Sequence, residues 1–474
     1  MEKKNNLKVK DFISKYKAPL VLSILTVLIF SSFIFEKLVV ITSVIVVLFM
    51  VFCSLEEQIC MIMYLAVFSG KSPIYIVSIL FCFVTLAVKY VFEAIKKEKP
   101  VLKPQLILTS VIVIIFSIVH YKVSTEGFYN WAMFVCLIFF TYFAVIYYKE
   151  ISVDKAFKTL ILAIFISAAL GVLGYFTGWV KAVYYYDDIV HRLRLFTLNV
   201  NHLAMFCMFS ISYLFVKMMQ KDFANGDFKF LKDKTFWFRI VCVIALMVIG
   251  LFTMSKAFLL ALALAVLYLL VVIIVKFKLK SLWFVLALVC ASVPLCFIFK
   301  DYISSILSRF VAYEGYGKLL SKMTTGRSEI WSMYLKDFSS SAWKIIFGVG
   351  LLTTDLIAKG PHNVFIYLLY RLGIVGVMLV VALVVLYIRQ GKSKLKINLS
   401  NVLLFAVYMF FALEELVFSD RFFLFLVFGV MLLLKPEKES ELNHEEEKLN
   451  EEHSEEKVAK KKDTKTVNKI KKNS

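Results

Sequence analysis

The side chains of this chain that could do chemistry gather in three short stretches. The first is His191–Ala204, HRLRLFTLNVNHLA, where Arg192 and Arg194 stand just before an apolar run that opens with Asn199, Asn201 and His202. The plain reading is a basic anchor at a membrane interface. Against it, loops on the outer side of a membrane are poor in arginine, and polar groups that enter hydrocarbon are costly and tend to be used. The second stretch is TTGRSEIW, with Arg327 in the first turn of a predicted helix and Thr325 or Gly326 as its cap. Helix N-termini present N–H groups to anions, and an arginine added there suits a phosphate or diphosphate. The alternative is a surface arginine paired with Glu329 or Asp337. The third stretch is FGVG followed by GPHNVFIYLLYRLGIVG. Gly348, Gly350 and Gly360 are expected to make the approach flexible. His362 then opens a long apolar run, with Asn363 beside it. Gly373 and Gly376 follow, where small residues permit close helix contact. A lone histidine is most often structural, for example a helix cap. At a membrane surface, facing a large loop, a neutral imidazole can instead serve as a general base near neutral pH.

The elements that must position these residues follow from composition. The 474 residues are 61% hydrophobic and 19% charged, and the mean hydropathy is +0.80. So little charge cannot cover the surface of a soluble protein of this size, so the main solvent is a bilayer. The apolar runs are continuous and about 16–22 residues long, which suits spanning helices and not the short alternating strands of a barrel. The expected fold is therefore all-α, a polytopic transmembrane helical bundle of about 12–14 spans. The net charge of +21 lies in short loops and at the termini, as the positive-inside rule requires, and calls for no nucleic acid. The eight cysteines, Cys53, Cys60, Cys82, Cys136, Cys207, Cys242, Cys290 and Cys296, sit in or beside apolar runs and form no CxxC pair. They read as small hydrophobes. No HExxH or His/Asp/Glu cluster offers a metal ligand set, so no metal and no cofactor is assigned.

Lysine placement orders the chain. Residues 1–17 form a basic cytoplasmic N-terminus, followed by a first span that stays in place. Residues 18–299 form the transmembrane bundle and 300–361 a large extracytoplasmic loop. Residues 362–434 are C-terminal transmembrane helices, and 435–474 a charged, disordered cytoplasmic tail, glutamate-rich and then lysine-rich. The shortest span is 57–70. Counting it as a crossing keeps KKEKPVLK, YYKEISVDKAFK, KMMQKDFANGDFKFLKDK, KFKLK and RQGKSKLK all on the cytoplasmic side; omitting it puts every one outside. Within the large loop, DYISSILSRFV and GRSEIWSMYLKDF each gather apolar residues on one helical face. The second face holds Ile330, Trp331, Tyr334, Leu335 and Phe338.

Taken in order, these marks resemble the signature of the O-antigen ligase and polymerase superfamily. They are an arginine before Asn-x-Asn-His-Leu-Ala, a Ser255–Lys256–Ala257 turn, GR-x-x-x-W, FGVG, then His362–Asn363 and Gly373-x-x-Gly376. The resemblance covers about 190 to 390. The chain departs from it in two places. Leu195 stands where a glycine often follows the first arginine, and Lys256 stands where arginine is usual, keeping the charge without the bidentate fork. The resemblance implies a metal-independent membrane glycosyltransferase working on undecaprenyl-diphosphate-linked oligosaccharide at the outer face of the cytoplasmic membrane. It implies His362, Arg327 and Arg194 as catalytic residues, and Arg192, Asn201, Lys256 and Asn363 as substrate contacts. Membrane lipid and other polysaccharide assembly proteins are the implied partners. Two alternatives stand beside polymerisation of a capsule, exopolysaccharide or O-antigen. One is ligation of finished glycan to a terminal acceptor. The other, of a different class, is a flippase for the same lipid-linked sugars.

Overall fold

A computed structural model describes residues 20–96, 104–118, 150–178, 184–187, 190–223, 228–278, 326–352, 360–390 and 399–414, with short stretches between 127 and 147. The expected spans 282–299 and 420–434, nearly all of 301–311, the N-terminal 1–17 and the tail 435–474 lie outside the described residues, as does much of 128–147.

The chain is an all-α polytopic helical bundle. Its helices are α1 (Leu20–Ile34), α2 (Leu38–Val51), α3 (Leu55–Ala66), α4 (Ser72–Ile95), α5 (Pro104–Ile118), α6 (Val153–Thr177), α7 (Val200–Lys217), α8 (Lys234–Phe252), α9 (Lys256–Phe277), α10 (Arg327–Phe338), α11 (Ala342–Phe347), α12 (Val364–Gln390) and α13 (Leu399–Glu414). Six of them are long and apolar enough to cross a membrane: α4, α6, α7, α8, α9 and α12. Outward faces of the peripheral helices carry large apolar residues, such as Val88, Val91 and Phe92 on α4, Val241, Ile244 and Val248 on α8, and Val271, Ile274 and Val275 on α9. Such a belt fits lipid and not water.

α7 is the central pillar. Its spanning window is 94% buried, against 28–39% for the other five. It packs against α6, α8, α9 and α13. The sequence explains this: α7 carries Ala204, Cys207, Ser210 and Ser212 among its larger residues, small enough to let neighbours close in on every side. Tyr213 stacks on Phe157 of α6, with ring centroids 4.6 Å apart.

Polar contacts sort to two ends of the bundle. At one end Lys71 meets Glu36, the Gly70 N–H donates to the Phe196 carbonyl, and Arg192 reaches Thr253. At the other end Lys155 binds Glu56, Tyr147 donates to Glu93, and Arg239 grips Asp222 with both carboxylate oxygens at 2.6 Å. α3 rises about 15 Å from Glu56 at the second end to Ala66, and a turn carries the chain on to Gly70 at the first. Its start carries a reciprocal cap between Ser54 and Glu57.

α12 is not one straight span. Gly373 has φ 64° and ψ −177° and breaks it. An uninterrupted helix would direct the Tyr370 and Arg371 carbonyls to N–H groups four residues on. Here they accept instead from Val349 (3.0 Å) and Gly350 (2.8 Å) of the FGVG segment. Gly348 and Gly373 meet face to face. A Cβ on Gly348 would lie 2.4 Å from the Arg371 carbonyl oxygen, and one on Gly373 2.4 Å from that of Ile346. This corrects two expectations. FGVG is locked rather than flexible, with Gly348 and Gly350 at positive φ, and Gly373 breaks its helix rather than packing it against another. Gly376 does make a close helix contact, against Phe116 of α5.

A comparison of glycines tests this joint. Gly178 and Gly348 both have positive φ, but a Cβ on Gly178 meets nothing within 4 Å. Gly178→Ala should therefore cost only backbone strain, about 1–3 kcal/mol. Gly348→Ala adds a collision with backbone and should lower the melting temperature in detergent well beyond Gly178→Ala. Equal melting shifts would mean that the joint is not tightly packed.

Candidate functional site

The first group of marked residues lies where the chain enters α7. A two-stranded antiparallel hairpin, β1 (Tyr184–Asp187) and β2 (Val190–Leu193), precedes it. The sequence reading missed this hairpin, although its aromatic and β-branched residues around Asp187–Asp188 give a strand–turn–strand signal. From β2, Arg192 donates through Nε to the Thr253 carbonyl (3.0 Å) and through Nη2 to Asn201 Oδ1 (3.1 Å). One guanidinium thus ties together the hairpin, the first turn of α7 and the α8–α9 turn. Asn199 caps α7 by accepting from the Asn201 N–H, and His202 is buried. After Arg194 the chain turns tightly. The Thr197 hydroxyl lies 2.7 and 2.9 Å from the Arg194 and Asn199 carbonyls, and Phe196 enters a ring cluster with Phe30, Phe33 and Phe68. In the α8–α9 turn Ser255 caps α9, so Lys256 holds the first helical position.

The second group surrounds His362. Gly326, at φ 79°, is the N-cap of α10 and offers no side chain, so Arg327 opens this helix. One turn on, Trp331 donates from Nε1 to the Pro361 carbonyl at 2.8 Å. That bond ties the GR-x-x-x-W helix to the residue before His362. Asn363 caps α12, its Oδ1 accepting from the Phe365 (3.0 Å) and Ile366 (3.1 Å) N–H groups, so this oxygen, expected to touch substrate, holds the helix start. His362 itself is half-buried and lies at φ 48°.

Strain marks both groups. Four described residues other than glycine have positive φ: Leu195, Met254, Lys278 and His362. Two of them, Leu195 beside Arg194 and His362, fall inside the marked stretches, and Met254 directly precedes Ser255–Lys256. Such backbone costs about 1–3 kcal/mol and persists where the surroundings over-determine it, often at functional sites.

Several contributors were not singled out from the sequence. Arg371 is only 1% exposed, donates from Nη1 to the Gly350 carbonyl (3.1 Å) and lies over the Tyr367 ring. Asp337 accepts from Lys344 (2.8 Å) and from the Tyr370 hydroxyl (2.7 Å), which fastens α10, α11 and α12 to one another. Tyr334 of α10 is fully buried edge-on against Tyr370, whereas Leu335, expected on the same face, is exposed. An Arg before Leu-Gly in an apolar run is a readable signal of a buried cation, but only the fold shows what it holds.

No protein-family model matches the chain, and no curated protein matches it.

Burial pushes the Asp337 carboxyl upward, but hydrogen bonds from Lys344 and Tyr370, with the Lys344 charge, outweigh it and hold the group below its ordinary value of 3.8. A depressed folded-state value means stabilisation that is present above the ordinary carboxylate range and lost as pH falls through the lowered value. Protease resistance of the α10–α11 segment should therefore survive acidification to the ordinary carboxylate value and fail below it. Asp337→Asn should remove that acid step; an unchanged acid profile would show that the contact does not hold the segment.

Proposed function

We propose that this protein is a membrane glycosyltransferase that polymerises surface polysaccharide, transferring glycan from undecaprenyl diphosphate to a sugar hydroxyl. The acceptor oxygen bonds to the anomeric carbon and its proton passes to His362. The bond from that carbon to diphosphate breaks, and the diphosphate leaves with the electron pair, met by Arg327, Arg194 and Lys256. The observation that carries this reading is the Trp331–Pro361 hydrogen bond, which holds a helix headed by Arg327 beside a strained His362.

Electrostatics at the helix starts supports it. A cation in a first turn opposes the helix dipole by about 0.3–1 kcal/mol unless an anion is near. Lys234 opens α8 after the carboxylate of Asp233, and Lys155 binds Glu56. Lys256 and Arg327 follow the neutral caps Ser255 and Gly326, and Glu329 shares the first turn with Arg327. A diphosphate there would meet these cations and the helix N–H groups together. Leu195 supports the resemblance too, because the position where a glycine is often found has the left-handed backbone that glycine favours.

The flippase reading gains one observation, the break in α12, since discontinuous helices mark transporter sites. Here the carbonyls freed by the break are taken by Val349 and Gly350, which leaves the break structural. The polymerase and the ligase differ in what a deletion leaves behind. A polymerase deletion leaves single repeat units on the cell, whereas a ligase deletion accumulates long lipid-linked chains.

His362→Ala should abolish transfer per folded molecule, a loss on the order of 10²–10⁴ in rate for a general base, while sparing lipid diphosphate binding. Arg327→Lys should weaken that binding, because a point charge cannot replace a fork on diphosphate. Purified protein with lipid-linked oligosaccharide decides the matter without any transmembrane gradient: near-normal turnover in His362→Ala, or translocation with no new glycosidic bond, would sink the reading. The proposed orientation has both termini cytoplasmic, the active face outside and the protein multi-pass in the cell membrane. A cysteine at Ser340 should then react with an impermeant reagent in intact cells and one at Ser393 should not. The reverse would invert the bundle.

A further inference from the structure

We infer that the α1–α2 edge of the bundle thins the bilayer around it, as a lipid-contact surface that fits a hydrocarbon layer of about 20 Å in place of the usual ~30 Å. α2 is the clean case, because described residues bound it at both ends. It has 14 residues, about 21 Å of rise. One face, with Val39, Thr42, Val46 and Met50, is buried in the bundle. The other, with Val40, Ile41, Val44, Leu48 and Val51, is more than half exposed and wholly apolar. Polar residues end that stripe on both sides: Glu36 and Lys37 precede it, and Ser54, Glu56 and Glu57 follow. Phe35 and Phe52 flank the stripe with exposed rings, and even the path between them, counted as helix throughout, rises only about 25 Å. α1 is as short, and Thr42 of α2 donates to its Leu28 carbonyl.

Both rims of this belt are fastened to the bundle. At the first end Lys71, just before α4, holds Glu36 at 3.7 Å. At the second end the Ser54–Glu57 cap starts α3 directly after the turn, and Gln58 donates to the Met50 carbonyl at 2.9 Å. Glu56 is tied there to Lys155 of α6 at 2.6 Å. α2 packs along α4, whose 24 residues are long and apolar enough to cross a membrane, so α2 runs through the layer rather than along its surface. Tilting a short helix only lessens its reach. A bilayer of full thickness would therefore submerge the carboxylates at one rim or the other. Thinning costs little per ångström, whereas a carboxylate in hydrocarbon is costly and rare. The first rim also carries the turn after Arg194, where Phe196 packs on Phe30 and Phe33 of α1 and accepts from the Gly70 N–H. A thinned edge brings the phosphate layer of the membrane to that turn, whether or not the chain is a transferase.

The test places the full-length protein in vesicles of dimyristoleoyl, dioleoyl or dierucoyl phosphatidylcholine, in order of rising thickness. Phe35→Trp, Phe52→Trp and Val44→Trp supply probes at the two rims and at mid-stripe, read as the difference in fluorescence from the wild type. Both rim tryptophans should keep the same quenching by aqueous acrylamide in all three lipids, and chain-brominated lipid should quench the Val44→Trp probe. If the bilayer keeps its thickness, at least one rim probe sinks as the chains lengthen, with a blue shift and a loss of acrylamide quenching, and the inference fails. It fails too if brominated lipid leaves the Val44→Trp probe unquenched, since a second copy of the chain then covers the stripe. The unsubstituted protein gives an independent reading. Extracted gently from vesicles of mixed short- and long-chain lipid, it should carry short-chain lipid in excess of its bulk share, and a share equal to bulk would overturn the inference.

Discussion

A bilayer interior offers no water to backbone groups, and that constraint governs the C-terminal half of the described structure. A helix broken at Gly373 leaves carbonyls that hydrocarbon cannot satisfy, each costing about 1–3 kcal/mol if left buried and unpaired. The Val349 and Gly350 N–H groups satisfy them. Because Gly348 and Gly373 lack side chains, the two backbones come close enough for this pairing. Everything near His362 depends on that seam. α11 runs straight into FGVG, Asp337 fastens α10 to Lys344 of α11 and Tyr370 of α12, and Trp331 of α10 fixes the Pro361 carbonyl. The buried Arg371 adds a side-chain bond to the same FGVG segment through the Gly350 carbonyl.

The N-terminal half solves a different problem, that of bringing a loop, a helix start and a tight turn to one place. Arg192 does so with two hydrogen bonds from one planar group, a task its fork suits better than the point charge of a lysine. Phe196 locks the adjoining turn into aromatic rings of α1 and the end of α3, and its carbonyl takes the Gly70 N–H. A Cβ at Gly70 would lie 2.6 Å from that carbonyl oxygen, so glycine there is required by approach.

The helical class and the position of most helices were legible because hydropathy in a membrane chain is set by solvent, one residue at a time. α7, α9 and α13 begin and end within two residues of the apolar runs expected at 199–218, 257–275 and 398–414. The start of α10 was readable for a similarly local reason, since its cap and first-turn charge lie in consecutive residues. What failed to show was everything fixed by partners far apart in sequence. A glycine pair in an apolar run reads equally as a packing motif or as a break, and only the pairing of 348–350 with 370–373 separates them. The engagement of Arg192 with Thr253, sixty-one positions away, carries no local trace either.

Both ends of the bundle pair cations with carboxylates of the chain, Lys71 with Glu36 at the first. At the end holding Glu56 and Asp222, cations are matched by carboxylates of the chain itself: Lys155 by Glu56, Lys89 by Glu150, Arg239 by Asp222. Lys256 and Arg327 stand at the starts of helices that neutral residues cap, close to backbone held at positive φ in Met254 and Gly326. On the proposed reading, dipole and side-chain charge there act together on the diphosphate. A diphosphate fits that place better than a carboxylate, because it brings more charge and enough oxygens to take a guanidinium fork and helix N–H groups together.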